Sequence, residues 1–138
     1  MTEPSPRRPR AAATTTRPRR PRLPKAVQMA VAAAQEKKAH DLVVLDLRKS
    51  DAFTDFFIIA TGTNPRQVQA IADGVEQTLK AAGIRPSNIE GHKRAEWVLV
   101  DYFDFVVHVF SPSARGFYGL DRLWGTAKRI EFDEAAAS

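Results

Sequence analysis

A glycine turn and three aspartates are the residues of this chain best suited to catalysis. The turn Thr61-Gly62-Thr63 stands between an apolar run and a predicted helix, where backbone N–H groups often bind phosphate. Nucleotidyl transfer would also need two carboxylates on one nearby strand to hold Mg²⁺. The candidates are Asp46, Asp101 and Asp104, and no two of them form an Asp-x-Asp pair. We therefore predict that the chain is not an enzyme, and keep a nucleotidyltransferase-like enzyme that uses this turn and Asp46 or Asp101 as an alternative.

Other reactive residue types are sparse. The chain has three histidines, His40, His92 and His108, and no two of them have the spacing of a metal-binding motif. His108 falls within an apolar run, which is typical of a hydrogen-bonded structural histidine. Ser111 and Ser113 lack the flanking glycines of a nucleophile turn. We predict no catalytic residue, no metal and no cofactor.

The composition indicates one domain in the cytoplasm. A chain of 138 residues with 43% apolar residues can form one hydrophobic core. The absence of cysteine suits a reducing compartment. No apolar run is long enough to cross a bilayer, and the N-terminus lacks the apolar segment of a secretory signal.

The positive charge is concentrated in an N-terminal arm. Residues 1–25 contain seven arginines and one lysine against one glutamate, whereas residues 26–138 contain 13 basic and 15 acidic side chains. Residues 1–24 include six prolines and no periodic apolar positions, so we predict a disordered arm. Such an arm is typical of non-specific contact with nucleic acid, and equally of a solvated extension without a partner. An RNA-binding accessory factor acting through the arm is a second alternative.

Apolar periodicity predicts an α/β domain over residues 25–125, followed by a flexible tail at 126–138. The predicted helices are residues 25–40, 65–82 and 112–124, and the predicted strands are 42–47, 56–60, 84–90, 96–101 and 104–110. The strand–helix–strand unit at 56–90 favours a crossover in a mixed sheet of about five strands flanked by helices, with 84–90 as a weak edge strand.

Aromatic and charged residues are concentrated between Glu96 and Trp124. Any single aromatic there is more often part of a core. The group, which also includes Trp97, Tyr118 and Arg115, is typical of a protein-binding surface, where tryptophan, tyrosine and arginine are enriched. Aspartates around it favour a basic partner, such as a ribosomal protein.

The same residues resemble the ribosomal silencing factor family, also called Iojap. The matching segments are residues 41–46 (DLVVLD), 54–62 (TDFFIIATG), 66–73 (RQVQAIAD), 90–91 (EG), 97–101 (WVLVD), 106–109 (VVHV) and 115–124 (RGFYGLDRLW). They occur in matching order over roughly residues 26–125, which makes the resemblance more specific than any single motif.

The resemblance implies a nucleotidyltransferase-like topology without the catalytic carboxylates. It also implies a translation repressor that binds the large ribosomal subunit through its protein L-fourteen and blocks association with the small subunit when nutrients are scarce. A homodimer in the free state and non-specific contact of the arm with ribosomal RNA are further expectations. The partner-binding residues that the matching motifs imply are Trp97, Asp101, Arg115, Tyr118, Asp121 and Trp124.

Two positions depart from the family pattern. Phe103 stands where the family usually has glycine in the hairpin turn, and a turn that needs φ > 0 would be strained by about 1 kcal/mol. Asp121 replaces the more usual glutamate, which shortens the reach of any ion pair.

Overall fold

A six-stranded mixed sheet with helices on both faces forms the domain. The computed structural model describes residues 23–50 and 52–132, so the predictions for most of the basic arm and for the end of the tail lie outside the described residues. The elements are α1 (Lys25–Glu36), β1 (His40–Asp46), β2 (Phe56–Thr61), α2 (Pro65–Ala81), β3 (Asn88–Glu90), β4 (Trp97–Asp101), β5 (Phe105–Phe110), α3 (Pro112–Tyr118), α4 (Leu120–Leu123) and β6 (Lys128–Glu131).

The strands lie in the order β3-β4-β5-β2-β1-β6, and only β2 and β5 pair in parallel. The crossover from β2 through α2 leads to β3 at the far edge of the sheet, and the chain returns through β4 to place β5 beside β2. This confirms the mixed sheet and the edge position of β3, whose three residues are all exposed. β2 and β5 are buried along their full length, as expected for central strands covered on both faces.

The helices α1 and α2 cover one face of the sheet. Their predicted apolar stripes, such as Val27 and Val31 in α1 and Ile71 and Leu79 in α2, are buried against it. Asn64 caps α2, because its side-chain oxygen accepts a hydrogen bond from the backbone N–H of Gln67. The predicted α/β class and both long helices are therefore confirmed, although α1 ends at Glu36 and His40, which was predicted to lie in the helix, begins β1.

The other face is covered by α3 and α4, where the sequence predicted one continuous helix. Gly119 adopts the left-handed conformation (φ +58) and ends α3 at Tyr118. The chain turns there, so that Ala114 from α3 and Leu120 from α4 both join the hydrophobic core on this face of the sheet, which includes Leu45 and Ile59. Since the apolar spacing continues through residue 120, the break was not visible in the pattern.

A sixth strand corrects the prediction of a loose tail after residue 125. β6 pairs antiparallel with β1, with Ile130 opposite Val44. Ile130 is buried, while Lys128, Arg129 and Glu131 are exposed. One apolar residue among three charged ones is a weak strand signal in sequence, although charged side chains are common on edge strands because they discourage pairing between molecules.

Among the described residues, no helix is both long and apolar enough to cross a membrane.

Candidate interaction surface

Two backbone donors of the glycine turn at the start of α2 are already engaged within the protein. The backbone N–H of Thr63 donates to the side chain of Gln67 at 2.7 Å, and the N–H of Gly62 donates to the carbonyl oxygen of Phe110 at 2.9 Å. A Cβ on Gly62 would lie 2.7 Å from the backbone nitrogen of Val68. This contact explains the glycine through close packing of α2 against the sheet, without the need for a bound phosphate.

The candidate carboxylates are engaged separately. Asp46 accepts two hydrogen bonds from the guanidinium of Arg48, at 3.0 and 2.7 Å, and these lower the pKa of Asp46 below its usual value. Asp101 accepts a hydrogen bond from the backbone N–H of Phe103 at 2.8 Å. Within residues 23–50 and 52–132, no group of three His, Asp or Glu side chains could hold a metal ion.

Trp97 lies at the centre of an aromatic cluster on the α3–α4 face of the sheet. It is half-buried, with its ring centroid 4.6 Å from that of Tyr118 and 5.1 Å from that of Phe110. Its indole N–H donates to Nδ1 of His108 at 3.0 Å. Trp97 and Leu99 share this face, while Val98 is buried on the opposite one.

His108 is held neutral by this arrangement. Its side chain is only 4% exposed, and burial lowers its pKa to about 4. An indole N–H can only donate, so the proton of the neutral imidazole sits on Nε2. No hydrogen-bond acceptor reaches Nε2 among the described residues, and the ring packs edge-on to Phe57 with centroids 4.5 Å apart. The prediction of a structural, hydrogen-bonded histidine is confirmed.

Arg115 and Asp121 bind each other across the break between α3 and α4. The guanidinium donates two hydrogen bonds to the carboxylate, at 3.0 and 2.9 Å, and a third to Thr61 Oγ1 at 2.8 Å. Arg129 from β6 adds another hydrogen bond to Asp121 at 3.0 Å. Both members of the Arg115–Asp121 pair are largely buried, so the pair ties α3, α4, β2 and β6 together.

Asp121 remains ionised in this network. Burial acts to raise its pKa, but the hydrogen bonds and charges of Arg115 and the hydrogen bond of Arg129 outweigh burial and hold the pKa below its usual value. The aspartate reaches both arginines in spite of its short side chain. The expected loss of reach relative to glutamate is absent here because the turn at Gly119 brings α4 back towards α3.

The exposed apolar residues beside this network form the α3–α4 surface, which consists of Phe117, Tyr118 and Leu123. Their exposed fractions are 80%, 49% and 71%. Tyr118 was among the predicted partner-binding residues, whereas Phe117 and Leu123 were not. Apolar residues on a short helix do not reveal from their type alone which side of it faces solvent.

Trp124 follows α4 and contacts a different part of the sheet. Its ring meets Phe57 edge-on with centroids 6.0 Å apart, and it is half-buried. The six predicted partner-binding residues are therefore of three kinds. Trp97, Tyr118 and Trp124 are aromatic residues on the α3–α4 face, Arg115 and Asp121 bind each other, and Asp101 lies at the hairpin between β4 and β5.

In the hairpin turn between β4 and β5, Phe103 has a φ of +74. The backbone at this residue therefore has the positive φ for which strain was expected. The backbone N–H of Asp104 donates to the carbonyl oxygen of Tyr102 at 2.8 Å, which makes residues 102–104 a γ-turn. Thr54 supports the turn, because its hydroxyl donates to the carbonyl oxygen of Phe103. The Phe103 side chain is 76% exposed and gains little from packing, so the strain is uncompensated within the domain.

Replacing Phe103 with glycine should therefore raise the free energy of unfolding by about 1 kcal/mol, because glycine adopts positive φ without a steric cost. Urea unfolding monitored by circular dichroism measures the change. Phe103→Ala is the control, since it removes the ring but keeps a Cβ at positive φ. Equal stability of the glycine and alanine variants would contradict the strain.

Several known proteins are similar to this chain. A family model described as ribosomal silencing factor during starvation matches residues 20–138. The ribosomal silencing factor RsfS of Halalkalibacterium halodurans is 40% identical over 107 residues, which cover 78% of this chain and 92% of that protein. A mouse protein named for mitochondrial assembly of the ribosomal large subunit is 29% identical over 101 residues, which cover 71% of this chain and 44% of that longer protein.

A solved structure is also similar. The crystal structure of a Chromobacterium violaceum protein matches with a TM-score of 0.72 at 39% sequence identity, over 82% of this chain and 94% of that one. The family match at residues 20–138 includes β6, the strand that the sequence analysis did not predict.

Proposed function

Since this chain belongs to the ribosomal silencing factor family, we propose that it represses translation by binding the large ribosomal subunit through protein L-fourteen. Bound there, it prevents the small subunit from joining. The name of the mouse relative, which refers to the ribosomal large subunit, supports a partner on that subunit. Repression under nutrient limitation agrees with the description of the family model.

The observation that carries this proposal is the α3–α4 surface. Monomeric proteins seldom leave aromatic rings in contact with each other in solvent without a partner to cover them. Phe117 packs edge-on against Tyr118 with centroids 5.0 Å apart, and Tyr118 rests on Trp97. The buried Arg115–Asp121 pair fixes the backbone beneath them. A partner therefore meets aromatic side chains that are already ordered, which reduces the entropy lost on binding.

Steric exclusion predicts stoichiometric inhibition. Titration of the protein into a subunit-joining assay should lower the amount of joined ribosomes in proportion to its occupancy of the large subunit. Inhibition at far less than one copy per large subunit would indicate turnover and contradict exclusion. This assay also tests the enzymatic alternative, because an enzyme acts on many subunits in succession.

Phe117→Ala tests the surface directly and should weaken large-subunit binding about tenfold, which is about 1.4 kcal/mol, with little change in stability. The matched control is Phe53→Ala. Phe53 is as exposed as Phe117, at 77% against 80%, but its ring packs against Phe57 and not against Tyr118. Co-sedimentation with purified large subunits measures both variants. Equal binding by the two would show that the α3–α4 surface is not the interface.

A further inference from the structure

A cavity of about 680 Å³ lies beyond the carboxyl end of β1, between the loop after that strand and the segment that joins α4 to β6. Its lining includes three basic side chains, Arg48, Lys49 and Lys128, one carboxylate, Asp46, and the indole of Trp124. The proposed binding to the large subunit assigns no role to this cavity. Its volume falls in the range of sites that bind small organic ligands.

Some of the charged side chains around the cavity are paired within the protein and others are not. Arg48 is fixed, because it donates two hydrogen bonds to Asp46 and its guanidinium lies 4.9 Å from the ring centroid of Phe56. Asp46 is neutralised mainly by Arg48, and the charge of Lys128 adds a smaller contribution. Lys49 and Lys128 are exposed, and neither forms an ion pair within 4 Å or a side-chain hydrogen bond with another described residue. One ammonium group from the loop after β1 and one from β6 are therefore available to attract an anion.

The indole of Trp124 supplies the second kind of contact. The ring is anchored edge-on against Phe57, which holds it in place, and Trp124 is one of the residues that line the cavity. The backbone N–H of Ala127 donates to the carbonyl oxygen of Trp124 at 2.9 Å, and this turn leads directly to Lys128. One short segment therefore presents an indole and an ammonium group to the same cavity. A planar ring that carries an anionic group would contact both.

We propose that this cavity binds a nucleoside phosphate, with its base stacked on Trp124 and its phosphates held by Lys49 and Lys128. Every base has a π-face that stacks on an aromatic side chain, and ammonium groups bind phosphate as point charges. A simple anion would leave the indole unused, and a purely apolar ligand would leave both lysines unpaired. The base and phosphate belong to a free nucleotide or to one nucleotide of a single-stranded RNA.

Calorimetric titration of the full chain with GDP and ADP tests the proposal without ribosomes, so its outcome is separate from that of large-subunit binding. We expect saturable binding of at least one nucleotide, at least tenfold tighter than that of pyrophosphate. Lys49→Ala and Lys128→Ala should each weaken it about tenfold. A nucleotide stacked on Trp124 should quench the tryptophan fluorescence of the wild type. This quenching should disappear in Trp124→Phe, because Trp97 remains the only tryptophan.

Lys93→Ala is the matched control, since it removes one positive charge from an exposed site between β3 and β4. Thermal melts establish that each variant is folded. A single-stranded hexaribonucleotide distinguishes the two sources of the ligand: tighter binding than GDP identifies RNA, and weaker binding identifies a free nucleotide. The proposal is overturned if neither nucleotides nor the oligonucleotide saturate the protein. It is also overturned if pyrophosphate binds as tightly as GDP, or if both cavity lysine variants bind like Lys93→Ala.

Discussion

Replacing Trp97 with alanine should lower the free energy of unfolding by about 3 kcal/mol, the lower end of the range for removing a large aromatic side chain from a core. The ring is half-buried, so part of its surface is already in water. Its loss removes the contacts with Phe110 and Tyr118 and leaves Nδ1 of His108 without a donor. An unpaired buried polar atom adds to the cost of the lost packing.

Trp97→Phe separates these two contributions. Phenylalanine keeps an aromatic ring between Phe110 and Tyr118 but cannot donate to His108, so this variant should lose only about 1–2 kcal/mol. Urea unfolding followed by circular dichroism compares the two. An alanine variant that unfolds like the wild type would show that Trp97 is not part of the fold. Large-subunit binding by the phenylalanine variant then reports whether the indole itself contacts the partner.

The stability of the protein should fall by about 2 kcal/mol between pH 7 and pH 5, and by about 3 kcal/mol once the pH reaches 4, because of His108. Burial lowers the pKa of His108 from 6.5 to about 4 in the folded state. Between these values the unfolded chain binds a proton that the folded protein does not, so acid favours unfolding. The stabilisation is complete above the unfolded pKa and declines as the pH falls through this window.

His108→Asn is the control for this pH dependence, because an asparagine does not titrate and its side-chain oxygen can accept the hydrogen bond from Trp97. Urea unfolding at pH 7, 6 and 5 should give a steep slope for the wild type and a much shallower one for the variant. His40 and His92 are present in both proteins, so their effects cancel in the difference. Equal slopes would show that His108 is not the group responsible.

The long helices and central strands followed from local signals in the sequence. In α2, apolar residues recur at helical spacing behind a capping asparagine and a proline, and every predicted core position of that helix is buried. β2 and β5 are continuous apolar runs, which in a chain of this length are stable only between two covering layers. The strain at Phe103 was expected from the resemblance, because the family usually has glycine at this position of the hairpin turn and glycine adopts positive φ without strain.

Other features depended on contacts between distant parts of the chain. β6 is a strand because β1 provides a free edge and a place for Ile130, and neither is apparent in a segment with three charged residues out of four. Arg115 and Asp121 matched a partner-binding motif, yet the turn at Gly119 lets them bind each other. Phe117 and Leu123 resembled core residues in type and proved to be exposed.

The sequence by itself determined the long helices and the central strands, because backbone propensity and apolar period act between residues a few positions apart. The tertiary structure alone decided which aromatic and charged side chains remain free for a partner or a ligand. Whether a side chain is free depends on which groups approach it from elsewhere in the chain. Arg48 reaches Asp46 and Arg115 reaches Asp121, whereas nothing among the described residues pairs with Lys49 or covers Phe117.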